Sequence, residues 1–575
     1  MVQLAQTKWD FPTTNEEAAE RLAEVLNIHA ITARLLVNRG IVDQETAIRF
    51  LTPSWEHLHD PSLLPDMPKA SARICEAIKI KERIFIHGDY DVDGVTSTAL
   101  FVRSLTALGA SVIYRVPHRK ADGYDLKIKA LDWAHGEGAN LVVTADCGVL
   151  AHEAVDHANA LGMTVIVTDH HEPGKTLPNA YAVVNPHRHD STYPFTMLSG
   201  VAVAFKTMQS VVKLLRPEHE RAFLERFVDL VACGTIADVM PLDGENRVFA
   251  KFGLEALSRT RKVGLQVLID GTGVDATRPM TSDTVGFSIA PRINAVGRLD
   301  DAAIALDLLL TNNREEAAQI VDKLNDFNFH RQDLQKAIFA EALLLVQDKD
   351  LESTRVIVLA SQGWNSGVVG IVAGKLVEMF HRPAIVIGVD DAMAFGKGSA
   401  RSIPGFDLCA HIRLCQHLLQ SCGGHEMAAG LTLKMENFDQ FDALINEFAA
   451  KVIHSEDMVP TLMSDGLVDP KVFSLPLLEE FTMLAPFGLA NPEPRFFSKD
   501  LVLCESRRIG RDNSHLKLRV RTPDISPTDC VAWGKGDFAD TLVEGQSVEA
   551  LYCPQINEWN GKRSVQFIVK DIRTT

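Results

Sequence analysis

From Arg83 onward the chain alternates short apolar β-type runs with helical stretches, and that alternation restricts it to a small set of folds. Strands are expected at 83–87, 111–116, 141–145, 164–168 and 181–185, with helices at about 94–108, 127–136 and 151–161 between them. This is βαβ arithmetic, and it predicts an α/β domain with a doubly wound parallel sheet. Three of the runs end in polar clusters. Ile84-Phe85-Ile86 enters His87-Gly88-Asp89-Tyr90-Asp91-Val92-Asp93-Gly94, Leu141-Val142-Val143-Thr144 reaches Asp146, and Val165-Ile166-Val167-Thr168 reaches Asp169-His170-His171. In an open parallel sheet the carboxyl ends of the strands open onto one crevice, so these clusters converge there. Carboxylate and imidazole without cysteine suit divalent ions such as Mg²⁺ and Mn²⁺, and a metal-dependent enzyme is the expectation.

Taken alone, the His87–Gly94 loop serves as well for a capping turn as for a metal site, with Gly88 and Gly94 letting the backbone turn closely. An EF-hand would need a glutamate at its twelfth position and flanking helices, which are missing. The other two clusters shift the balance. A buried Asp or His without a partner costs several kcal/mol, so three such groups in one crevice point to a shared cation.

The remainder divides by pattern. Leu22, Val25, Leu26, Ile31, Leu35 and Leu36 recur at helical spacing, and Asp43 starts a further short helix, so residues 1–65 form an N-terminal helical region. Helices near 199–215 and 221–236 follow the sheet, the second leading into Ala237-Asp238-Val239-Met240-Pro241 and closing a domain over 66–300. A long helix at about 314–347, capped by Asn312 with Glu315, dominates a connector over 301–350. A second α/β unit spans 351–456, with strands at 355–360 and 384–389 and helices near 367–380, 406–421 and 437–453. Residues 457–575 are strand-rich, and their last hairpin is signalled by Trp559-Asn560-Gly561-Lys562, where Asn-Gly suits a type I′ turn; a small β-barrel is expected. Roughly three or four domains are expected of 575 residues, since single cores stop growing near ~250.

Hydrophobic residues at 46% and charged residues at 23% exclude a disordered class. The nine cysteines stand singly, no secretory pattern opens the chain, and no apolar run approaches the ~18 residues of a membrane span. A reducing, cytoplasmic protein without a membrane partner is expected. The net charge of −17 argues against non-specific coating of nucleic acid but leaves room for a basic channel. Between Arg495 and Arg521 eight basic residues, among them Arg507, Arg508, Arg511, Lys517 and Arg519, face three acidic ones. The bland account is a solvated strand face; the functional one is an electrostatic footprint for a nucleic-acid backbone.

These motifs, in this order, resemble the DHH phosphoesterase superfamily and its single-strand-specific exonuclease branch over nearly the whole length. The resemblance is carried by the His87–Gly94 loop, Thr144-Ala145-Asp146-Cys147-Gly148, Asp169-His170-His171, Gly234-Thr235-Ile236-Ala237-Asp238-Val239, and Pro291-Arg292-Ile293-Asn294-Ala295-Val296-Gly297-Arg298. It continues through Gly396-Lys397-Gly398-Ser399-Ala400-Arg401-Ser402 and Gly423-Gly424-His425-Glu426-Met427-Ala428-Ala429-Gly430. No ligand position departs from the family pattern.

The resemblance implies two Mg²⁺ or Mn²⁺ ions. One would be held by residues like His87, Asp91 and Asp146, the other by residues like Asp93, Asp146, His170 and Asp238, with Asp146 shared. Asp89 competes with His87 for the first ion, and sequence does not decide between them. Asp169 is expected to orient a neighbouring histidine, and His171 to contact the scissile phosphate. Ser399, Arg401 and a Gly423-Gly424-His425 turn resemble the family's second domain, which holds the terminal phosphate; Arg292, Asn294 and Arg298 are further substrate candidates. Without the resemblance the glycine runs read as packing turns. The barrel resembles an OB-fold, whose aromatics stack on bases, although Trp533 and Trp559 on short strands read first as core.

The implied activity is two-metal hydrolysis of single-stranded DNA from its 5′ end to mononucleotides, in recombination and repair, with single-strand-binding protein and a recombination helicase as partners. The alternatives are a relative that cleaves oligonucleotides or cyclic dinucleotides, and a non-catalytic scaffold of the same ancestry. The basic barrel weighs against the first, and the complete ligand set against the second.

Overall fold

The computed structural model describes residues 7–119, 122–123, 125–275, 277–390, 394–522 and 527–574. Five strands form an all-parallel sheet in the spatial order Ser111–Arg115, Arg83–Gly88, Leu141–Ala145, Thr164–Thr168, Ala182–Val184. Their continuous Val/Ile/Phe runs suit strands covered on both faces. Phe85, Val142, Val165, Val167 and Val183 pack with Leu131, Ala134, Val155 and Ala158 of the helices Ile128–Gly136 and His152–Ala160. The alternate residues Ile84, Ile86, Val143 and Ile166 are equally buried on the opposite side, where helices Val92–Ala107 and Gly200–Leu215 touch the strands. The second strand in sequence lies outside the first, so the order reverses between Arg83–Gly88 and Leu141–Ala145. Ligands of open α/β sheets bind at that reversal.

Contacts divide the chain into two compact units, one comprising Asp10–Gly297, Asp301–Asp322 and Met463–Thr575, the other Met1–Trp9, Arg298–Asp300 and Lys323–Leu462. In the first, the C-terminal strands close into a five-stranded barrel in the order Phe496–Ile509, His515–Arg521, Thr528–Ala532, Lys562–Thr574, Ser547–Trp559. The N-terminal helices share its core: Leu22, Leu35, Leu36 and Ala47 belong to one apolar cluster with Leu477, Phe496, Tyr552 and Phe567. Buried Arg247 joins this assembly to helix Gly244–Leu257. Its guanidinium donates to the carbonyls of Phe50 (2.7 Å), Ala485 (3.0 Å) and Met483 (3.2 Å) and lies 3.6 Å from the Phe50 ring centre. Burial holds it down to about 9, because no carboxylate pairs with it. Beside it, fully buried Lys206 pairs with Glu245, which also accepts from Tyr193 Oη (2.6 Å) and the His59 amide (2.9 Å).

The second unit is a mixed sheet in the order Leu419–His425, Ala428–Lys434, Phe395–Arg401, Ala384–Asp390, Ile357–Gln362, parallel only in its last pair. Helix Val369–Phe380 packs on one face, through Val372, Ala373 and Leu376, together with Ile338 and Ala342 of the long helix Arg314–Gln347.

Four local expectations differ. The helix expected over 406–421 stops at Leu414, and Leu419–His425 is an edge strand, so Gly423, Gly424 and His425 lie in a ladder and not in a turn. The long helix is capped by Asn313, whose Oδ1 accepts from the amides of Glu315 (2.9 Å) and Glu316 (3.4 Å), one residue later than Asn312. Trp533 and Trp559 are 58% and 73% exposed, so neither is core. The Asn560-Gly561 turn has φ of 50° and 73°, the left-handed pair that a type I′ turn requires. All nine cysteines are free, and no described helix is long and apolar enough to cross a membrane.

Candidate metal centre

Local folding at each strand end sets the cluster. After Arg83–Gly88 the chain turns at once into helix Val92–Ala107, capped by Asp91, whose Oδ1 accepts from the Gly94 amide (3.1 Å). Asp93 therefore sits in the first helical turn, pointing into the crevice. Its two oxygens accept from the amides of Gly200 (2.7 Å) and Val201 (2.8 Å) at the start of helix Gly200–Leu215. Asp146 follows its strand in the left-handed region, φ 66°. Asp238 caps the C-terminus of helix Glu220–Ala237, ahead of Val239 at φ 57°, a strained position for a β-branched residue.

Among the described residues the side chains fall into three overlapping groups, each with donor atoms within 4.8 Å of one another: Asp89, Asp91 and Asp146; Asp146, His170 and His171; and Asp93, His170 and Asp238, so that Asp146 and His170 each belong to two. His170 Nε2 bridges them, 3.2 Å from Asp146 Oδ1, 3.6 Å from Asp238 Oδ2 and 3.8 Å from Asp93 Oδ2. Asp169 is turned away as an anchor: it accepts from the amides of Val149 (2.9 Å), His170 (2.7 Å) and His171 (3.1 Å), and lies 2.8 Å from His171 Nδ1. His171 Nδ1 is also 3.8 Å from Asp146 Oδ1. His87 is buried close by but joins no such group. Neither of its ring nitrogens, nor Oδ1 of Asp89 or Asp146, has a hydrogen-bond partner among the described residues. Buried lone pairs left unsatisfied in a carboxylate–imidazole cluster fit a divalent cation.

Burial and like charge act together on these carboxylates. Burial first, then Asp91, raise Asp93 to about 7, and burial with Asp93 and Asp91 raises Asp238 to about 8; Asp89 and Asp146 are pushed well above the carboxylate range for the same reasons. Burial holds His170 at about 3 and His87 at about 4. His171 goes the other way, to about 9, because its bond to Asp169 outweighs its burial.

A pH dependence follows. A carboxylate raised in the fold holds a proton that the unfolded chain has released, so its stabilisation is complete below about pH 4 and is lost as pH rises through 7–8. His171, raised to about 9, has the same sign. The depressed His87 and His170 oppose this only below about pH 6.5, where the unfolded chain protonates them. Without divalent ions, the melting temperature is expected to fall between about pH 6.5 and 9, and saturating Mn²⁺ to flatten that fall, since a cation replaces the protons. A metal-free profile that stays level across this window refutes the electrostatic account.

Two glycines that sequence reasoning passed over shape the cluster. A Cβ on Gly200 would stand 2.4 Å from Asp146 Oδ1, and one on Gly234 2.6 Å from Asp93 Oδ1. Gly234 stood inside a quoted motif, but nothing local marked either as a close approach. Beside the substrate candidates Arg292, Asn294 and Arg298, Gly297 sets helix Ala290–Leu299 against the metal loop, where a Cβ would lie 2.7 Å from the Tyr90 carbonyl; Asn294 is one turn earlier. Arg292 donates to the Ser288 carbonyl (2.5 Å). In the second unit, Arg298 donates to the Gly367 carbonyl (3.0 Å). Ser399 and Gly423 both stand in register with Gly430, and Arg401 and His425 with Ala428, so the four share one end of three adjacent strands. Gly370, also unanticipated, brings the first turn of helix Val369–Phe380 over them: a Cβ there would sit 3.1 Å from Ser399 Oγ and 3.3 Å from Arg401 Nη2.

The basic stretch on the barrel is less free than its charge count suggests. Arg507 pairs with Glu505 (3.4 Å), Arg508 with Asp540, and Lys517 (3.9 Å) and Arg519 (3.3 Å) both with Asp529. Arg511 has no such partner among the described residues.

Three family models match the chain: the DHH family N-terminal domain over residues 83–235, the DHHA1 domain over 353–451 and the RecJ OB domain over 464–571. It is 39% identical to the single-stranded-DNA-specific exonuclease RecJ of Bacillus subtilis strain 168, covering 99% of this chain and 71% of that protein. With the enzyme of the same name from Escherichia coli K12 the identity is 34%, over 97% of each. The crystal structure of RecJ from Thermus thermophilus in complex with Mn²⁺ matches with a TM-score of 0.82 at 32% identity, over 98% of this chain and 79% of that one. The Mg²⁺ complex matches at 0.77 and 31%, over 98% and 78%.

Proposed function

The chain belongs to the RecJ single-stranded-DNA-specific exonucleases, built on DHH and DHHA1 domains, and from that membership we propose a 5′-to-3′ exonuclease that hydrolyses single-stranded DNA to 5′-mononucleotides in recombination and repair. The observation that carries this reading is the set of overlapping donor groups at the carboxyl ends of the sheet, joined through Asp146 and His170. Asp89, Asp91 and Asp146, with buried His87 beside them, would hold one Mg²⁺ or Mn²⁺, and Asp93, His170, Asp238 and Asp146 the other. Two such ions supply Lewis-acid stabilisation of charge on a phosphodiester and lower the pKa of an attacking water.

The rest falls to the chain's own groups. Asp169, anchored by backbone amides, fixes the His171 ring and keeps it protonated, so that it offers a cationic donor to a phosphate oxygen. Ser399, Arg401 and His425, with the bare backbone of Gly423 and Gly424, hold the terminal phosphate, for which the planar arginine fork is suited. Arg292, Asn294 and Arg298 steer the strand. The exposed rings of Trp533 and Trp559 give the barrel stacking platforms. Single-strand-binding protein and a recombination helicase are proposed as partners, and the cytoplasm as the location.

The test uses single- and double-stranded DNA and RNA, labelled at either end, with and without Mn²⁺. Early release of labelled mononucleotide from the 5′ end of single-stranded DNA, in Mn²⁺ alone, is the expected result; release from the 3′ end first, or cutting within the strand, overturns the reading. A second expectation concerns grip on long strands. Each lost phosphate contact lowers the salt slope of binding by about 0.7. Neutralising Arg507, Arg508 and Arg511 together should lower it by about 0.7, the share of Arg511, because the other two already have carboxylate partners. A fall near 2 would mean that those pairs open to bind DNA.

A further inference from the structure

On the helical side of the first unit, a cavity of about 1250 Å³ opens between the C-terminal part of helix Val92–Ala107, the first half of helix Glu220–Ala237 and the segment 259–262. It is not the metal centre. Arg226 precedes Asp238 by twelve residues of helix, about 18 Å at 1.5 Å per residue, and Thr106 follows Asp93 by thirteen, about 20 Å. The cavity thus lies at the far end of the two helices whose near ends carry Asp93 and Asp238.

Its lining is rich in arginine although the chain carries −17. Three of its cations are committed: Arg221 to Glu225 (2.7 Å), Lys262 to buried Asp229 (2.7 and 2.9 Å), and Arg103 to the carbonyls of Leu309 (2.7 Å) and Leu310 (3.2 Å). Arg226, Arg259 and Arg261 have no carboxylate partner among the described residues, and all three are exposed. Arg259 and Arg261 also line a second cavity of about 380 Å³, so the 259–261 segment is a rim common to both, and the first cavity with this rim forms an arginine-edged trench. A trench edged by guanidinium forks that have no carboxylate partner, with the half-exposed Tyr114 ring in its lining, suits a phosphate backbone.

We propose that this trench binds the phosphate backbone of single-stranded nucleic acid, giving the strand a second contact remote from the metal centre. The nature of the strand rests on the exonuclease reading above; the anion chemistry rests on the trench alone. A strand that lies here is held at a distance from the reacting phosphate, so grip on long strands is separable from hydrolysis.

The experiment compares wild type with Arg226→Gln/Arg259→Gln/Arg261→Gln. Binding of a long fluorescent oligothymidylate is measured by anisotropy over a salt series in EDTA, so that the probe stays intact, and hydrogen exchange across 221–229 and 256–262 is followed with and without it. Expected are a salt slope lower by about 2, at about 0.7 per contact, and strand-induced protection of both segments in wild type alone. Mn²⁺-dependent hydrolysis of a trinucleotide should be equal in both proteins. An unchanged slope, or protection by poly-glutamate or ATP but not by the strand, overturns the proposal. Failure of the wild type to hydrolyse the trinucleotide would strike the exonuclease reading and leave the binding comparison to stand by itself.

Discussion

Asp146→Asn is expected to abolish hydrolysis while raising the melting temperature of the metal-free protein. Asp146 belongs to two of the donor groups, one with Asp89 and Asp91 and one with His170 and His171, so in the proposed two-ion site its loss disturbs both ions at once. Metal charge stabilisation is worth several kcal/mol, and at about 1.4 kcal/mol per decade the loss is on the order of 10³-fold or more. The opposite effect on stability comes from removing a buried carboxylate whose pKa is raised first by burial and then by repulsion from Asp93, Asp91, Asp238 and Asp89. Asparagine is the informative replacement because φ at this position is 66°; asparagine tolerates the left-handed region, whereas alanine adds about 1 kcal/mol of backbone strain to the result. Nuclease rate and melting, read on one preparation in EDTA and in Mn²⁺, decide the matter. Turnover within tenfold of wild type would remove Asp146 from the shared position.

Glu245→Ala should cost about 3–5 kcal/mol of folding stability without touching the catalytic cluster, because it strands Lys206 as an unpaired cation in a fully buried site. The same change takes away the acceptor of Tyr193 and of the His59 amide, which ties the N-terminal region to helix Gly244–Leu257. The denaturation midpoint is the readout. Replacing both partners by apolar residues, Lys206→Met with Glu245→Leu, should recover most of the loss, since a buried pair contributes little over well-packed hydrophobic groups. A single mutant within about 1 kcal/mol of wild type would show that water reaches Lys206.

What was legible in advance follows from the range of the interactions. Strands buried on both faces are read directly from their Val/Ile runs, and candidate ligands from residue types at strand ends, so the parallel sheet and the convergence of Asp93, Asp146 and His170 were visible in one dimension, whereas Asp238, at the end of a helix, entered only through the family resemblance. The choice between His87 and Asp89 was not, because the two lie two residues apart and only the turn of the loop brings Asp89 to Asp91 and Asp146. Leu419–His425 has small polar residues and two glycines, which carry no strand signal; its ladder with Ala428–Lys434 is what makes it a strand. The pairing of Arg519 with Asp529 depends on cross-strand register, and a charge count cannot contain it. Gly200 beside Asp146 is likewise a contact between positions distant in sequence, whose only trace is a glycine opening a helix after a capping serine.

The core common to the first helices and the closing barrel bears on how the polypeptide is made. Leu22, Leu35, Leu36 and Ala47 leave the ribosome long before the surface that covers them, around Phe496, Tyr552 and Phe567, is synthesised. Those helices must wait, amphipathic and uncovered, while the parallel sheet behind them is already able to form, and so long a sequence separation slows closure and prolongs exposure to aggregation. The same dependence governs where the gene can be cut. A fragment that stops before the barrel leaves the apolar face of Leu22, Leu35 and Leu36 uncovered, so a well-behaved catalytic fragment has to leave out those helices together with the barrel.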